Sequence, residues 1–424
     1  MSTNEFEQYK VDHLFLLVGQ NPLPNYVATK LLLHRGETAY LVHTTDTLDE
    51  AKRLKKSFES EFNVELRSLN HYESDAYHIQ KEIAAKLKSI NNGKIGLNYT
   101  GGTKAMSAHS YRTLFYEEIQ DKTGKVYRRR KGMIFSYLDP RRLEICIDRE
   151  DNERERLKVK PDTLQIPLIT IFQLHGLNLK KNPTQQAQSP ELAQELVKVF
   201  ADKAKQTQWF DWYNKIFSQA ARKDNRKWKN KTDLAKLFIP LDKLSLEIVE
   251  VFNNQQLLTS DDNLALGEVK KLGVFPEIED LCKFLDGIWL EHYVLEQIKK
   301  IAHSQSILYY GLNFIIPPQG TKDGFEFDVA FTRGYQLFAI SCTSDNDKKL
   351  CKSKLFEAYL RAIQMGGEEA RVALVCCSDE PDTLKAEIAD TLSNKKIAVF
   401  GRADLLNLSE NIIKWIVDND REAK

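Results

Sequence analysis

The stretch NYTGGTKAMS, Asn98–Ser107, decides how the first third of the chain is read. It follows the apolar run KIGL (Lys94–Leu97) and precedes a helical pattern, so it is the turn between a strand and a helix. Two adjacent glycines permit positive φ and leave no Cβ between the backbone and an approaching group. Thr100 and Thr103 offer hydroxyls, Lys104 a cation, and the helix start its free N–H groups. The GxxxxGK[ST] spacing of a nucleotide-hydrolysing loop is absent. On these residues alone the stretch reads equally as an anion cradle and as a tight turn carrying a surface lysine.

Working outward, DHLFLLVG (Asp12–Gly19), TAYLVHTT (Thr38–Thr45), VELRSLN (Val64–Asn70) and KIGLNYT (Lys94–Thr100) read as strands. Between and after them, Gln20–Gly36, Asp46–Phe62, Ala76–Ile90 and Lys104–Ile119 carry helical periodicity, with Asp46 a candidate cap. MIFSYLD (Met133–Asp139) and RLEICID (Arg142–Asp148) then read as a hairpin-like pair of strands. Such alternation with short connections predicts a parallel, doubly wound α/β sheet, which binds ligands beyond the carboxyl ends of its strands. The QNPLPN, HTT and TGGTK loops all fall at those ends.

With 424 residues the chain is long enough for two or three domains, and 42% hydrophobic with 29% charged residues is a soluble globular balance. No run of eighteen apolar residues suggests a membrane span, and the polar start MSTNEFEQYKVDH does not read as a signal peptide. The six cysteines form no CxxC pair, which removes a zinc ribbon or a dithiol motif and points to the reduced cytoplasm. Cys376 and Cys377, inside VALVCCS, read as small packing residues of a buried strand. Lys and Arg number 61 against 60 Asp and Glu, so net charge does not announce a nucleic-acid binder. Two local basic stretches, VYRRRKG (Val126–Gly132) and ARKDNRKWKNK (Ala221–Lys231), read first as solvated faces.

From about residue 160 to 275 polar helix formers surround Trp209, Trp212 and Trp228, which predicts a mostly helical connector compatible with a winged-helix arrangement. The last third opens with a helix, FLDGIWLEHYVLEQIKKIA (Phe284–Ala302). Strands follow at Ile307–Pro317, Gly324–Ser344, Ala370–Ser378 and Lys396–Leu406, interrupted by a helix at Lys352–Gly367. This is a second α/β unit, without a glycine-rich phosphate loop.

VGQNPLPNYVA (Val18–Ala28), LVHTT and NYTGGTKAMS, three loops in order, resemble the ligand loops of a CARF domain, the Rossmann-like sensor of CRISPR cyclic oligoadenylates. The resemblance implies a homodimer whose two-fold axis passes through the ligand, a site suited to a symmetric ring such as cyclic tetra-adenylate. It places Gln20, Asn21 and Pro22 in the first loop, Thr44 and Thr45 in the second, and Thr100, Gly101, Gly102, Thr103 and Lys104 on phosphate or ribose. A general base that would let this domain degrade its own ligand is not evident, and His43 reads as structural.

GIWLEHYV, FEFDVAF, FAISCTS and QMGGEEARVALV resemble the PD-(D/E)XK restriction-like nucleases, and specifically the type III CRISPR ancillary nucleases that join this fold to a CARF sensor. Such nucleases hold a divalent metal on carboxylates and place a lysine beside the attacked phosphate. The resemblance makes Glu291 and Asp328 the metal-ligating and catalytic carboxylates, with Mn2+ or Mg2+ as cofactor; Glu326 shares the strand face of Asp328. The E-x-K positions fall on Ser341 and Thr343, neither a carboxylate nor a lysine. Lys348, Lys349, Lys352 or Lys354 could supply the missing cation, and Lys354 shares a helical face with Glu357. The expected organisation is a CARF sensor over residues 1–160, a helical connector over 161–275 and a nuclease domain over 276–424. The implied function is a cyclic tetra-adenylate-activated, metal-dependent endonuclease acting on RNA and/or DNA; a ligand-binding regulator or sponge with a degenerate nuclease domain is the other reading.

Overall fold

The computed structural model describes residues 5–121, 124–148, 154–224, 227–269, 273, 275–318, 324–392 and 396–423. Residues 319–323 ahead of Asp328, 225–226 of the second basic stretch, 270–272 and 274 of the connector, and the first four residues of the N-terminal stretch lie outside them.

The N-terminal sheet is built from β1 (Val11–Leu17), β2 (Leu33–His43), β3 (Asn63–Ser68) and β4 (Ile95–Asn98), linked by α1 (Leu23–Leu32), α2 (Leu48–Phe58) and α3 (Ala76–Lys88). Then come α4 (Lys104–Phe115), β5 (Tyr116–Asp121), β6 (Gly124–Arg129), β7 (Met133–Asp139), β8 (Glu144–Asp148) and β9 (Arg154–Lys158). The strand order is β3-β2-β1-β4-β7-β8-β9, parallel from β3 to β7 and antiparallel beyond. The order reverses between β1 and β4, which opens a crevice at their carboxyl ends. Side chains alternate as a doubly covered strand requires: Leu14, Leu16 and Val18 join one core with Val27, Leu31 and Leu54, while Phe15 and Leu17 join another with Ile79, Ile83 and Met106.

Four local expectations are corrected. The first helix does not run to Gly36; it ends at Leu32, and Leu33–His43 is one strand through Gly36, which has φ +87. The last strand does not run to Leu406; it ends at Phe400, and Arg402–Asn407 is a 3-10 helix. The fourth helix does not run through Ile119; it stops at Phe115, and Tyr116–Asp121 pairs antiparallel with Gly124–Arg129. Cross-strand charge pairing favours the hairpin: Glu117 meets Arg128 at 3.2 Å and Arg130 at 3.5 Å, and Glu118 meets Lys125 at 2.6 Å. Much of the first basic stretch is thereby neutralised within its own hairpin. Asp46 does not cap α2; the cap position is Thr47, whose hydroxyl turns back to accept the Thr44 N–H at 3.0 Å.

The connector comprises α5 (Leu168–Leu174), α6 (Pro190–Phe200), α7 (Lys203–Trp212), a π-helical turn at Tyr213–Phe217, α8 (Ser218–Ala221), the pair β10 (Arg222–Asp224) and β11 (Lys227–Trp228), α9 (Lys231–Leu234), the pair β12 (Phe238–Pro240) and β13 (Asn263–Ala265) flanking α10 (Leu246–Asn253), and α11 (Ile278–Lys283). A second π-helical turn, Phe284–Ile288, leads into α12 (Trp289–Ile301). After it come β14 (Ile307–Ile316), β15 (Phe325–Arg333), β16 (Gln336–Thr343), α13 (Lys348–Gly366), β17 (Arg371–Cys376), α14 (Pro381–Leu392), β18 (Ile397–Phe400) and α15 (Leu408–Glu422). The second sheet has the order β14-β15-β16-β17-β18, antiparallel through β16 and parallel after it.

The connector helices share their core with this sheet. Leu196, Trp209, Trp212 and Phe252 pack in one cluster with Trp289, Leu290, Phe338, Ile340 and Val375. The other sheet face, Phe314, Phe327, Ala339 and Leu374, packs against Leu355 and Ala362 of α13 and against Phe172 of α5, in a core continuous with that of the N-terminal sheet. Cys376 and Cys377 are buried and free, as their setting in a core strand predicts.

Candidate functional site

The three sequence-predicted loops lie side by side, at the ends of β2, β1 and β4. The glycines let the last loop lie against the first. A Cβ on Gly101 would stand 2.3 Å from the Leu17 carbonyl oxygen, and Gly102 has φ +75 with Leu17 Cβ 3.0 Å from any added Cβ. Asn25 anchors the same place, donating through Nδ2 to Leu17 O at 2.9 Å. Its Oδ1 is buried without a hydrogen-bond partner and would lie 3.4 Å from a Gly101 Cβ.

The polar groups of these loops divide into committed and open ones. Thr103 caps α4, accepting the Met106 N–H at 3.1 Å, and its hydroxyl donates to Glu73 O at 2.9 Å. The Thr100 hydroxyl accepts the Leu138 N–H at 2.7 Å. Thr44 is buried, with its hydroxyl 3.2 Å from that of Thr47, and Pro22 is buried too. Gln20, Thr45, Gly102, Thr103 and Lys104 are exposed at the crevice, with Gly101 and Thr100 half-buried behind them. Asn21 faces the other way. Its Oδ1 accepts the Leu23 N–H at 3.0 Å and lies 3.3 Å from His175 Nε2, and its Nδ2 would be 2.7 Å from a Cβ on Gly367, just past α13. His43 is buried with Nδ1 2.8 Å from Thr44 O, a structural placement.

The second site is built where α12, β15, β16 and α13 meet. Gly287, at φ +135 in the π-helical turn, kinks the chain so that Glu291 falls in the first turn of α12. Asp328, on β15, is 9% exposed. Its Oδ2 accepts the Cys342 N–H at 2.6 Å and the Ser341 hydroxyl at 3.1 Å. Ser341, where the resembled pattern carries a carboxylate, therefore orients one. Lys354 Nζ donates to Cys342 O at 2.9 Å and stands 3.9 Å from Asp328 Oδ2. Lys348 and Lys352 are instead drawn to Glu387 of α14, and Lys349 is exposed.

Electrostatics mark these groups as one cluster. Burial pushes Glu291 well above the usual carboxylate range, Asp328 and Glu326 push it further, and Lys354 and Lys181 oppose them. Burial raises Asp328, against Lys354 and the Cys342 and Ser341 hydrogen bonds. Partial burial and then Asp328 raise Glu326, at the exposed rim, against Lys181 and Lys354. Lys181 is a member that sequence reading missed. An antiparallel bridge between Thr184 and Leu312 lays its segment along β14. Thr343 is turned to Asp345, whose N–H it accepts at 3.2 Å, and brings no charge.

Among the described residues no three His, Cys, Asp or Glu side chains converge as a ready-made cation cage. The donor set still fits a hard divalent ion of the Mg2+ class, which is commonly held by one or two carboxylates and completed by water and substrate phosphate. Asp328 is committed only through Oδ2, and Glu291 is a half-buried carboxylate that a nearby cation would stabilise in its charged form.

Residues 14–133 match the family model of the Card1 CARF domain. No curated protein sequence matches the chain. Among solved structures the chain is similar to protein VC1899 from Vibrio cholerae, at 15% identity over 96% of this chain and 98% of that one, with a TM-score of 0.69. It is also similar to Can2 from Sulfobacillus thermosulfidooxidans, solved in complex with cyclic tetra-adenylate, at 15% identity over 97% and 99% of the two chains and a TM-score of 0.66. At such identity the likeness shows the fold, and it extends over nearly the whole chain. The N-terminal unit is a Rossmann-like CARF domain, and no described helix is long and apolar enough to cross a membrane.

Proposed function

We propose that this chain, whose N-terminal unit is a CARF domain, is a cyclic oligoadenylate-activated, metal-dependent nuclease of type III CRISPR defence, with cyclic tetra-adenylate as activator. Residues 1–160 form the sensor, 161–275 the connector and 276–424 a restriction-like nuclease domain. The observation that carries the reading is the approach of Lys354 to Asp328, 3.9 Å, beside Glu291 and Glu326. Lys354 brings to these carboxylates, from another element, the kind of charge that the resembled motif loses at Thr343.

Glu291 and Asp328 would hold Mn2+ or Mg2+. Such an ion, when bound, polarises phosphoryl oxygens and lowers the pKa of water. The chain's own groups do the remaining work. Ser341 and the Cys342 N–H fix the rotamer of Asp328. Lys354, steadied by the Cys342 carbonyl, supplies positive charge where negative charge develops on the phosphate. Two chains related by a two-fold axis would complete one ring-binding crevice from Gln20, Thr45 and the Thr100–Lys104 turn, with the ligand favouring the cutting-competent arrangement by its contacts. The likeness in fold to Can2, solved in complex with cyclic tetra-adenylate, supports this choice of ligand.

The test is cleavage of labelled RNA, single-stranded DNA and duplex DNA, each with and without cyclic tetra-adenylate and with Mn2+ or Mg2+. Cutting that requires both additions is expected. Ring binding without any cutting would favour instead a regulator or sponge, the reading to which Thr343 in place of lysine points.

A further inference from the structure

We infer that the cavity between α7 and the end of β16 is a nucleobase subsite, which takes an unpaired base of a single-stranded nucleic acid next to the scissile phosphate. The inference rests on the nuclease reading for its reaction, but its binding claim stands apart from it. The cavity is an open cleft of about 560 Å3, lined by Phe210, Asn214, Asp286, Thr343, Asn346 and Leu350, among others. It begins at Thr343, two residues along β16 from Ser341, which holds Asp328. A strand whose phosphate lay at Asp328 would therefore bring a neighbouring base to its mouth.

The wall is built and held. Buried Gln206 of α7 donates to Ser344 O at 3.0 Å, tying the connector to the end of β16. The two π-helical turns meet across the cavity, where Tyr213 of one donates to Asp286 of the other and Arg222 meets Asp286 at 2.6 Å. Isolated π-helical turns are rare and gather at functional sites. A Cβ on Gly287 would stand 3.2 Å from Ser344 Oγ, so a glycine lets the second turn come close.

The lining chemistry selects a base over a phosphate. Among the described residues no lysine or arginine lines the cavity, and Asp345 would repel an anion, while the Asp286 carboxylate is already held by Arg222 and Tyr213. Phe210 is half-buried and Leu350 is 40% exposed, which gives a ring one aromatic and one aliphatic surface. Asn214 and Asn346 are exposed, and among the described residues neither side-chain amide has a hydrogen-bond partner. A paired donor and acceptor of this kind matches the N6/N7 edge of adenine.

The test uses the full-length protein with cyclic tetra-adenylate and Mn2+. Cut positions are mapped on one single-stranded RNA and the matching DNA of mixed sequence, for the native chain, Asn346→Ala and Phe210→Ala. Cuts by the native chain should gather beside adenines. Asn346→Ala should flatten that distribution, and Phe210→Ala should raise KM about tenfold with kcat little changed. In parallel, Asp328→Ala protein is titrated with an oligonucleotide carrying 2-aminopurine, whose fluorescence should quench on binding, with the quench lost in Asp328→Ala/Phe210→Ala and reduced in Asp328→Ala/Asn346→Ala. Asn346 lies in an exposed loop, so a folding failure of the Phe210 variants leaves its arm decisive. Absence of cutting by the native chain with the quench intact sinks the nuclease reading and keeps the subsite. Native-like cut positions in Asn346→Ala, or an unaltered quench in the double variants, overturn the subsite itself.

Discussion

Lys354 Nζ stands 3.9 Å from Asp328 Oδ2 although the two residues come from different elements, α13 and β15. The side chain of Asp347 accepts the Leu350 N–H at 2.8 Å and fixes where α13 begins, so the helix register that delivers this lysine is set at its first turn. Removing the ammonium should leave Asp328 without the opposing charge that faces it. Lys354→Ala is expected to slow ligand-activated cleavage about 100- to 1000-fold while cyclic tetra-adenylate affinity stays unchanged. Single-turnover rates on the best substrate, alongside calorimetry with the ring, measure both. A variant that cuts at the native rate returns Lys354 to the ordinary surface of α13.

A second outcome concerns pH and metal. Glu291, Asp328 and Glu326 all have raised pKa values in the folded chain, chiefly through burial. The folded state then binds more protons than the unfolded state above the ordinary carboxylate range. Stability should fall as pH rises through that window, with the Glu291 cost fully present only above its folded value. Mn2+ requires the charged carboxylates, so it should raise Tm more at higher pH. Thermal melts across roughly pH 5 to 8, with and without Mn2+, follow this, and Glu291→Gln should flatten the slope and remove the metal's effect. A Tm independent of Mn2+ at every pH would place the metal elsewhere.

At the sensor crevice Lys104 is exposed at the start of α4. Lys104→Ala should weaken ring binding by about 1.5–3 kcal/mol, the loss of a charge-assisted hydrogen bond, with no change in Tm. Gly102→Val is a poor probe of the same contact. At φ +75 and against Leu17, valine would strain the turn itself. Asn21→Ala provides the contrast. Its amide is spent on Leu23 and His175, so it should cost about 1 kcal/mol of stability and less ring affinity than Lys104→Ala. Calorimetry on the two variants that ranked them the other way would put Asn21 on the ligand.

The N-terminal sheet was legible because its strands are short apolar runs and its helices periodic, with punctuation at Gly19 and the Gly101–Gly102 pair; Gly36, which reads as a helix stop, instead lies within β2. Legibility failed where the decision is tertiary. Leu114, Phe115 and Tyr116 continue a helical pattern, yet Glu117 and Glu118 find their partners across a hairpin. Four lysines at the start of α13 look alike in sequence; the pull of Glu387 on Lys348 and Lys352 separates them from Lys354. Lys181 had no local signal at all, since its place beside Glu291 depends on a bridge to β14.

The last prediction separates the roles of the two altered motif positions. Ser341 still works, through its hydroxyl on Asp328 at 3.1 Å, so Ser341→Ala should lower cleavage modestly, about tenfold, by loosening one of the two hydrogen bonds that hold the carboxylate. Thr343 faces the loop, accepting the Asp345 N–H, and has no contact with Asp328. If Lys354 has taken over the cationic role, Thr343→Lys adds a second ammonium to a cluster already served by Lys354 and Lys181, and cleavage should change little. In the Lys354→Ala background the same substitution should restore activity by at least tenfold, because the position is the one from which the resembled nucleases deliver their lysine. The four proteins of this cycle, assayed on one substrate at saturating ring and Mn2+, give the coupling directly. Strict additivity between Thr343→Lys and Lys354→Ala would mean that the two ammonium groups do not serve the same phosphate.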